Sequence, residues 1–326
     1  EIKGVTLQTL DSDPVENVGS WASGGALGTA RRGLAGAGIQ TAALAFGGYG
    51  PDFEAKTEEY NGTSWSEDGD LNTARMTLAS AGLYTAAIGF GGYGPGTTKQ
   101  AITESYNGSS WSETGDLSTA RQQIAGAGTN TAGLAFGGSE APGAVSDNTE
   151  EFGGSSWTAG GDLNTARRYM AGFGTQTAAL GVAGAEPTIV GKTEQYNGSS
   201  WTEINDMNTG RRELAGSGTT TAGLAFGGNT PPRTAKTEDW NGTVWTEVND
   251  LSAATERLAG ATTAPSTLSL AFGGTTGSNS AATEEWSFPP ATQAKLKEGM
   301  AFLSGGTNLK VFGTDVGVAT ATWASG

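Results

Sequence analysis

The sequence predicts an all-β protein built from six repeated four-stranded units. A tryptophan recurs along the chain at intervals of 44 or 46 residues, each time within the same pattern of glycines, apolar residues and carboxylates. In four of the units an Asn-Gly pair separates two short extended segments. This dipeptide favours the tight turn of a β-hairpin, because both of its residues tolerate positive φ. Units of about this length that recur in register indicate a repeat architecture.

Four features define the repeat. Its tryptophans are Trp21, Trp65, Trp111, Trp157, Trp201 and Trp245. A Thr-Glu-x-aromatic motif places one carboxylate in each unit, at Glu58, Glu104, Glu150, Glu194, Glu238 and Glu284. A pair of small residues, Gly-Gly in every unit except the fourth, closes an apolar run. An arginine follows Thr-Ala or Thr-Gly at Arg31, Arg75, Arg121, Arg167 and Arg211, and in a degenerate context at Arg257.

Each unit is interpreted as four strands, which the second copy illustrates. The first strand, 78–82, and the second, 85–90, consist mainly of small residues, and this composition suits a crowded centre where backbones approach closely. The third, 103–106, and the fourth, around Trp111, carry large aromatic residues that can fill the space between neighbouring units. Four-stranded units arranged radially form a β-propeller, which leaves only short exposed edges.

The two ends of the repeat predict how the ring closes. The sixth copy has Trp286 but no tryptophan after it, and Pro289-Pro290 ends its strand pattern because proline cannot donate to a sheet ladder. Trp21 stands at the front without a preceding Thr-Glu-x-aromatic motif. We therefore expect residues 20–27 to supply the fourth strand of the last unit, which gives six blades.

The flanking segments predict two short β arms. Residues 1–19 contain an alternating strand at 5–10, and residues 289–326 contain a hairpin formed by 300–303 and 309–312. The last residues, 322–326, repeat the pattern of 20–24. We therefore expect an N-terminal arm (1–19), a propeller (20–288) and a C-terminal arm (289–326) that leads into a further unit of a longer protein.

Two resemblances follow from these motifs. The Gly pair after an apolar strand, the aromatic residue and the tryptophan about five residues later resemble the Kelch repeat over residues 20–288, which implies a Kelch-type β-propeller. The phrases 4–10 and 306–311 are similar to segments of marine bacteriophage tail or appendage proteins with Kelch-like repeats. This second resemblance implies a virion structural or host-recognition protein.

Composition excludes several functions. The chain has 326 residues and a net charge of −15, so we expect it to repel nucleic acid. It has no apolar run long enough to span a bilayer, so we expect no membrane insertion. It contains no cysteine and no histidine, which excludes disulfides, zinc–thiolate sites and histidine-based catalysis. We expect no cofactor, no metal and no catalytic residues.

The recurring arginines allow two interpretations. They could form an anion-binding ring at the mouth of the channel, or they could form repeated Arg–carboxylate pairs that tie the blades together. We favour the structural pairs, because a residue present in every blade is normally architectural, whereas a ligand site breaks the symmetry.

The two faces of the predicted propeller differ in sequence variation. The loops after the Gly pairs vary from copy to copy, at 49–56, 93–102, 139–148, 185–192, 229–236 and 275–282, and all but the last contain proline. Proline stiffens a loop and so reduces the entropy lost on binding. The loops of the opposite face are nearly invariant. A ligand is therefore expected on the variable side, where the candidate contacts are Tyr49, Asp52, Phe53, Tyr93, Glu140, Glu186 and Arg233, with the three aromatic residues exposed.

Three functions remain open at this stage. The first is a non-enzymatic tail fibre or appendage protein of a bacteriophage virion, which binds other virion proteins or a host surface receptor or glycan and assembles as a homo-oligomer or within a larger assembly. The second is a cellular or secreted Kelch adaptor for a protein partner, located in the cytoplasm or outside the cell. The third is a carbohydrate-active propeller enzyme. A galactose-oxidase-like site would need the missing cysteine and histidine, and the aspartate boxes of a sialidase-like propeller do not occur.

Overall fold

The computed structural model describes residues 19–96 and 98–288, together with the backbone of 301–304 and 308–311. All regular secondary-structure elements among these residues are β-strands. Six antiparallel four-stranded sheets follow one another from residue 19 to residue 288. The first strands of adjacent blades contact each other around a complete circle, which includes the contact between blades six and one. The predicted six-bladed β-propeller is thus confirmed. Among the described residues, no helix has the length and apolar character needed to cross a membrane.

Each blade runs from its innermost to its outermost strand, and all strands are numbered in chain order. The fourth strand of blade six is β1 (Ser20–Ser23). Blade one contains β2 (Ala35–Ile39), β3 (Ala42–Phe46), β4 (Thr57–Tyr60) and β5 (Trp65–Asp68). Blade two contains β6 (Ala79–Leu83), β7 (Ala86–Phe90), β10 (Thr103–Tyr106) and β11 (Trp111–Glu113), with short strands β8 (Tyr93–Gly94) and β9 (Thr98–Lys99) in its insert. Blade three contains β13 (Ala125–Gly128), β14 (Gly133–Phe136), β16 (Thr149–Phe152) and β17 (Trp157–Ala159), and a side pair of β12 (Arg121–Gln122) with β15 (Ser139–Glu140).

The remaining blades follow the same order. Blade four contains β18 (Ala171–Thr175), β19 (Ala178–Val182), β22 (Thr193–Tyr196) and β23 (Trp201–Ile204), with β20 (Ala185–Glu186) and β21 (Thr188–Ile189) in its insert. Blade five contains β24 (Ala215–Gly218), β25 (Gly223–Phe226), β26 (Thr237–Trp240) and β27 (Trp245–Val248). Blade six contains β28 (Ala259–Gly260), β29 (Leu270–Phe272) and β30 (Thr283–Ser287), and β1 completes it. The short strands within the inserts were not predicted from the sequence, because two-residue strands carry no periodic signal.

The ring closes as the sequence predicts. Strand β1 pairs antiparallel with β30, and Trp21 lies opposite Trp286. The Trp21 ring packs against Phe226 of blade five, with the ring centroids 4.9 Å apart. Its indole Nε1 donates to Oγ1 of Thr237 at 3.0 Å. The leading strand therefore makes in blade six the contacts that a fourth strand makes in every other blade.

A repeated tryptophan contact joins each blade to the one before it. The indole Nε1 of each fourth-strand tryptophan donates to the threonine hydroxyl that begins the third strand of the preceding blade. These six bonds span 2.9–3.1 Å, from Trp65 to Thr283, Trp111 to Thr57, Trp157 to Thr103, Trp201 to Thr149, Trp245 to Thr193 and Trp21 to Thr237. The apolar faces of the same rings fill the space between blades, which accounts for one tryptophan per repeat.

The centre of the ring leaves no room for side chains at its glycines. A Cβ built at Gly36 would lie 2.4 Å from the Phe272 ring of blade six, and one at Gly126 would lie 2.5 Å from the carbonyl oxygen of Ser80 in blade two. Distances this short require atoms to move. The prediction of close backbone approach at the centre is therefore confirmed.

Blade six departs from the other blades. Its first two strands are short, and residues 261–269 replace the compact turn found between these strands elsewhere. Within this loop, Oγ1 of Thr263 donates to the carbonyl oxygens of Gly38 and Gly82 at 2.7 and 3.4 Å, so the loop reaches the innermost strands of blades one and two. The prediction that this face is nearly invariant is therefore wrong for blade six.

The chain outside the propeller forms a separate unit of residues 1–18 and 289–326. Its described part is the hairpin of β31 (Ala301–Ser304) and β32 (Asn308–Val311), in which Ala301 pairs with Val311. The predicted C-terminal hairpin is confirmed. The predicted strand at 5–10 and the echo at 322–326 lie outside the described residues.

Candidate binding face

The recurring arginines and glutamates form ion pairs inside five blades. Arg31 pairs with Glu58 at 2.5 Å, Arg121 with Glu150 at 2.6 Å, Arg167 with Glu194 at 2.8 Å and Arg211 with Glu238 at 2.9 Å, and Arg75 pairs with Glu104. All of these side chains are almost fully buried. The arginines also donate to backbone carbonyls of their own blades, such as that of Ala45 for Arg31. They have the geometry of architectural pairs and do not line an open anion site.

The sixth blade lacks this pair. Alignment on Leu251 and Leu258 places Thr255 at the arginine position, so Arg257 belongs two positions further along the repeat. This corrects the alignment made from the sequence. Nε of Arg257 instead lies 3.0 Å from Oε1 of Glu213. Among the described residues Glu284 has no arginine partner, and its Oε2 accepts a hydrogen bond from the Ser252 amide at 2.9 Å.

The two faces of the propeller differ sharply in charge. We call the face formed by the inserts between second and third strands, together with the linkers between blades, the variable face. Every lysine and arginine between residues 19 and 288 lies in these inserts and linkers. We call the opposite face, formed by the other turns, the uncharged face, because none of its described turns contains a charged residue.

The uncharged face carries the large apolar side chains that the propeller exposes. Within residues 19–288 these side chains are between 38% and 48% exposed, and they belong to Ile39, Leu83, Tyr84, Val244, Leu268 and Phe288. They lie on blades five, six, one and two, which are consecutive in the ring. The chain also enters the propeller at Gly19 and leaves it at Phe288 on this face, because β1 begins where β30 ends.

The predicted aromatic contacts lie on the variable face, but they are less exposed than expected. Tyr49, Phe53 and Tyr93 are each half-buried. The ring centroids of Tyr49 and Phe53 are 5.5 Å apart, and those of Phe53 and Tyr93 are 6.0 Å apart. The guanidinium of Arg32 lies 5.0 Å from the centre of the Tyr49 ring. The three rings thus pack on one another between blades one and two, so the prediction that they are exposed is wrong.

The other predicted contacts are distributed around the same face. Asp52 is exposed, and its Oδ1 accepts a hydrogen bond from the Phe53 amide. Glu140 accepts hydrogen bonds from Ser146 and Asn148 within its own insert. Glu186 lies 3.5 Å from Lys192, and Nε of Arg233 lies 4.0 Å from Glu256. The structure therefore places all seven predicted residues on one face and does not bring them together in one site.

A ring of six backbone hydrogen bonds closes the channel mouth on the variable face. One residue from each blade-to-blade linker donates its N–H to the carbonyl of the equivalent residue one blade earlier, at 2.6–3.1 Å. The participants are Gly33, Thr77, Gln123, Tyr169, Glu213 and Arg257, which we call the mouth ring. All six have φ between 53° and 61°, and five of them are not glycine. Such residues are uncommon, and they cluster at functional sites.

The side chains of the mouth ring differ at every position, although the backbone repeats. They line a cavity of about 110 Å³ together with the leucine, isoleucine or methionine that follows each of them. Burial raises the pKa of Glu213, and Arg257 opposes this rise. Burial raises the pKa of Tyr169, and the charge of Glu213 raises it further. The charges of three arginines oppose this rise, and they belong to Arg257, Arg168 and Arg212. The mouth is therefore polar and asymmetric, and its basic groups gather on blades four to six.

A larger cavity of about 580 Å³ opens on the variable face beside blade three, and we call it the blade-three pocket. The inserts of blades two and three and the linkers before blades three and four line it. The polar side chains among its lining residues are those of Tyr93, Thr98, Lys99, Gln122, Ser139 and Arg168. Its volume lies within the range of small-molecule sites.

The sequence could have revealed the mouth ring but not the pocket. Glu213 and the other ring members stand two residues after the recurring arginine, which is a variable position inside an otherwise repeated segment. Alignment of Arg257 with the recurring arginines shifts blade six by two positions, and with this shift the mouth-ring position does not appear as a repeated position. Lys99, Gln122 and Arg168 come from three separate segments whose contact depends on insert conformation. Only Tyr93 of the pocket was among the predicted contacts.

No protein-family model matches the chain, and no curated protein matches it. The β-propeller class therefore rests on the strand topology and the repeat. No group of three or more carboxylates arranged to hold a metal ion occurs among the residues that the structure describes.

Proposed function

We propose that the protein is a non-enzymatic binding module that presents its variable face to a partner. The observation that carries the proposal is the contrast between the faces. Surface lysines and arginines, the variable inserts, the cavity at the mouth ring and the blade-three pocket belong to one face, and the described turns of the other face carry no charge. Charged and polar groups set specificity and the rate of association, and loops held on a rigid scaffold are common binding elements.

The proposal places this module in a bacteriophage virion, as a tail fibre or appendage protein. The resemblance of the sequence segments 4–10 and 306–311 to segments of phage appendage proteins supports this assignment to a virion. The Gly pair, the Thr-Glu-x-aromatic motif and the inter-blade tryptophan support assignment of the repeat to the Kelch type. The partner is then a host surface receptor or glycan, or a neighbouring virion protein.

Replacing the inserts tests the binding face. Residues 275–282 form an insert with no charged and no aromatic residue, so they are a suitable replacement for the inserts of blades one to five. We expect the fluorescently labelled full chain to bind a subset of a panel of bacterial cells and immobilised glycans. The grafted variant should lose at least about tenfold in affinity, because the residues that contact the partner are gone.

A matched variant on the uncharged face serves as the control. In this variant the turns 61–64 and 241–244 are given the sequence of the turn 107–110, Asn-Gly-Ser-Ser. This change should leave binding to the panel unaltered. Equal binding by the grafted variant and the wild type would refute the proposal, provided that circular dichroism and melting show both to be folded. If the protein binds no member of the panel and instead catalyses a reaction of one of the glycans, the result would favour the alternative of a carbohydrate-active enzyme.

We propose further that the uncharged face is a contact between copies of this chain. Each copy carries a net charge of −15, so copies repel one another wherever their acidic surfaces meet. The uncharged face avoids this repulsion, and it holds the exposed apolar side chains of blades five, six, one and two. Exposed apolar side chains that gather on one face are typical of association sites.

Sedimentation of the full chain tests this contact. The wild type should associate in the micromolar range, and Leu83→Ser combined with Leu268→Ser should shift it to monomer. Both side chains are almost half exposed, so their loss should leave the fold intact. Tyr49→Ser on the variable face is the control and should not change the mass. A monomeric wild type at high concentration would rule the contact out.

A further inference from the structure

The blade-three pocket contains two cationic side chains, and neither of them forms an ion pair with a carboxylate among the described residues. No aspartate or glutamate is among its described lining residues, although the chain as a whole has 33 acidic residues. The neighbouring Glu140 carboxylate is held by Ser146 Oγ at 2.6 Å and Asn148 Nδ2 at 2.8 Å. The pocket is thus a locally basic site in a strongly acidic protein.

The two cations are held in place by different contacts. Nζ of Lys99 donates to Ser139 Oγ at 3.1 Å and to the carbonyl oxygen of Glu140, and its third hydrogen has no acceptor among the described residues. The Arg168 guanidinium lies 5.6 Å from the centre of the Tyr169 ring and has no hydrogen-bond partner among the described side chains. The backbone of Arg168 is fixed by bonds to Ala185 at 2.9 and 3.1 Å.

The two cations also repel each other. Burial lowers the pKa of Lys99, and the charge of Arg168 lowers it further, whereas Glu140 acts in the opposite direction. Like charges that share a pocket and form no ion pair favour the entry of an anion, because the anion relieves the repulsion and accepts hydrogen bonds from the N–H groups that have no other partner.

We propose that the blade-three pocket binds a sugar residue that carries a carboxylate, with Lys99 and Arg168 holding the acidic group. This inference rests on the proposed function and names the ligand class at one site of the variable face. An arginine fork matches the two oxygens of a carboxylate, and an ammonium group adds a point charge beside it. The hydroxyl of Thr98 and the amide of Gln122 are suited to sugar hydroxyls, and Tyr93 offers an aromatic ring.

Isothermal titration of the full chain with two matched pairs of oligosaccharides tests the ligand class. The first pair is 3′-sialyllactose and lactose, and the second is trigalacturonate and α-1,4-galactotriose, which differ only in the carboxylate groups. We expect at least one acidic member to bind and its neutral counterpart to bind at least about tenfold more weakly, because only the acid engages both cations. Equal affinity for acidic and neutral members, or no affinity for either acid, would overturn the proposal.

Two variants locate the binding in the pocket. Lys99→Gln combined with Arg168→Gln should weaken binding of the acidic member at least about tenfold. Lys192→Gln combined with Lys236→Gln removes the same charge from the rim of the same face and should change binding less than about twofold, since those side chains are about one-third exposed and paired with carboxylates. Gln122→Trp keeps both cations and fills the pocket, and it should weaken binding as strongly as the first variant.

The outcomes separate the pocket from the proposed function. If the insert graft abolishes binding to the panel and the Lys99 and Arg168 substitutions leave acid-sugar binding unchanged, the pocket assignment is wrong and the binding face stands. If the substitutions act but the Gln122→Trp variant binds normally, the anion binds elsewhere and the pocket assignment is again wrong. If neither the graft nor the substitutions alter binding, both proposals fail.

Discussion

A chain that begins at Gly25 should lose at least about 4 kcal/mol of unfolding free energy relative to a chain that begins at Gly19. The shorter chain lacks β1 and with it Trp21, whose ring packs on Phe226 and Trp286 and whose Nε1 bonds Thr237. Truncation of a tryptophan in a core costs about 3–5 kcal/mol, and although Trp21 is half-buried, its deletion also removes its hydrogen bond to Thr237. The four-residue ladder to β30 is lost as well, and β30 becomes an exposed edge.

Thermal melting of the two truncated chains checks this expectation. For a domain of this size the loss corresponds to a fall of roughly 7 °C or more in Tm. The chain that begins at Gly19 is the control, because it lacks the same preceding residues and keeps β1. A synthetic peptide of residues 19–28, added to the shorter chain, should restore part of the lost Tm by occupying the open edge. Equal melting of the two chains would show that β1 does not close the ring.

The ring closure could be predicted from sequence because it leaves an unpaired feature at each end of the repeat. Trp21 has no preceding Thr-Glu-x-aromatic motif, and Trp286 has no following tryptophan, so one unit is split between the two ends. The blade count and the strand order follow from the same register. The short strands in the inserts were not predictable, since strands such as β8 (Tyr93–Gly94) depend on the conformation of a loop with no repeat.

For the candidate site, the sequence predicts which face of the propeller carries it but not which side chains come together there. Alternation of the strands places every insert at the same end of the ring, which follows from topology alone. The depth of each side chain depends on packing between neighbouring inserts, and for this reason Tyr49 and Phe53 were expected to be exposed. Lys99 and Arg168 are 69 positions apart in the numbering, and their common pocket arises from two inserts and two linkers whose conformations the sequence pattern does not specify.

The mouth ring shows how the fold separates architecture from variation. Its six backbone bonds repeat around the ring and link every blade to its neighbour. In five of the six blades a buried arginine stands two residues before the ring member, and its pairing with glutamate holds the linker against the blade. With the backbone fixed in this way, the side chains of the mouth ring can differ in every blade without a change of fold. The same arrangement that makes the arginines structural therefore leaves the adjacent positions free for binding.

Glu104→Gln should destabilise the protein by about 3–5 kcal/mol, which is the usual cost of leaving one member of a buried ion pair without its partner. The Arg75 and Glu104 side chains are both fully buried. Burial lowers the pKa of Arg75, and the Glu104 charge is the main effect that raises it. Glutamine has nearly the same shape, but it supplies no charge, so the arginine would remain charged, buried and uncompensated. Unfolding in guanidinium chloride, monitored by tryptophan fluorescence, measures the loss.

Blade six provides the matched control for this substitution. Glu284 occupies the position of Glu104, but Thr255 stands where the other blades have arginine, so Glu284→Gln removes a carboxylate that balances no buried guanidinium. We expect that variant to lose less than about 1 kcal/mol, close to the value of one hydrogen bond. The substitution Arg75→Thr places in blade two the residue, threonine, that blade six has at the equivalent position 255. Added to Glu104→Gln, it should recover part of the loss, because no unpaired charge then remains. Equal losses for Glu104→Gln and Glu284→Gln would mean that the ion pair contributes nothing beyond the packing of its side chains.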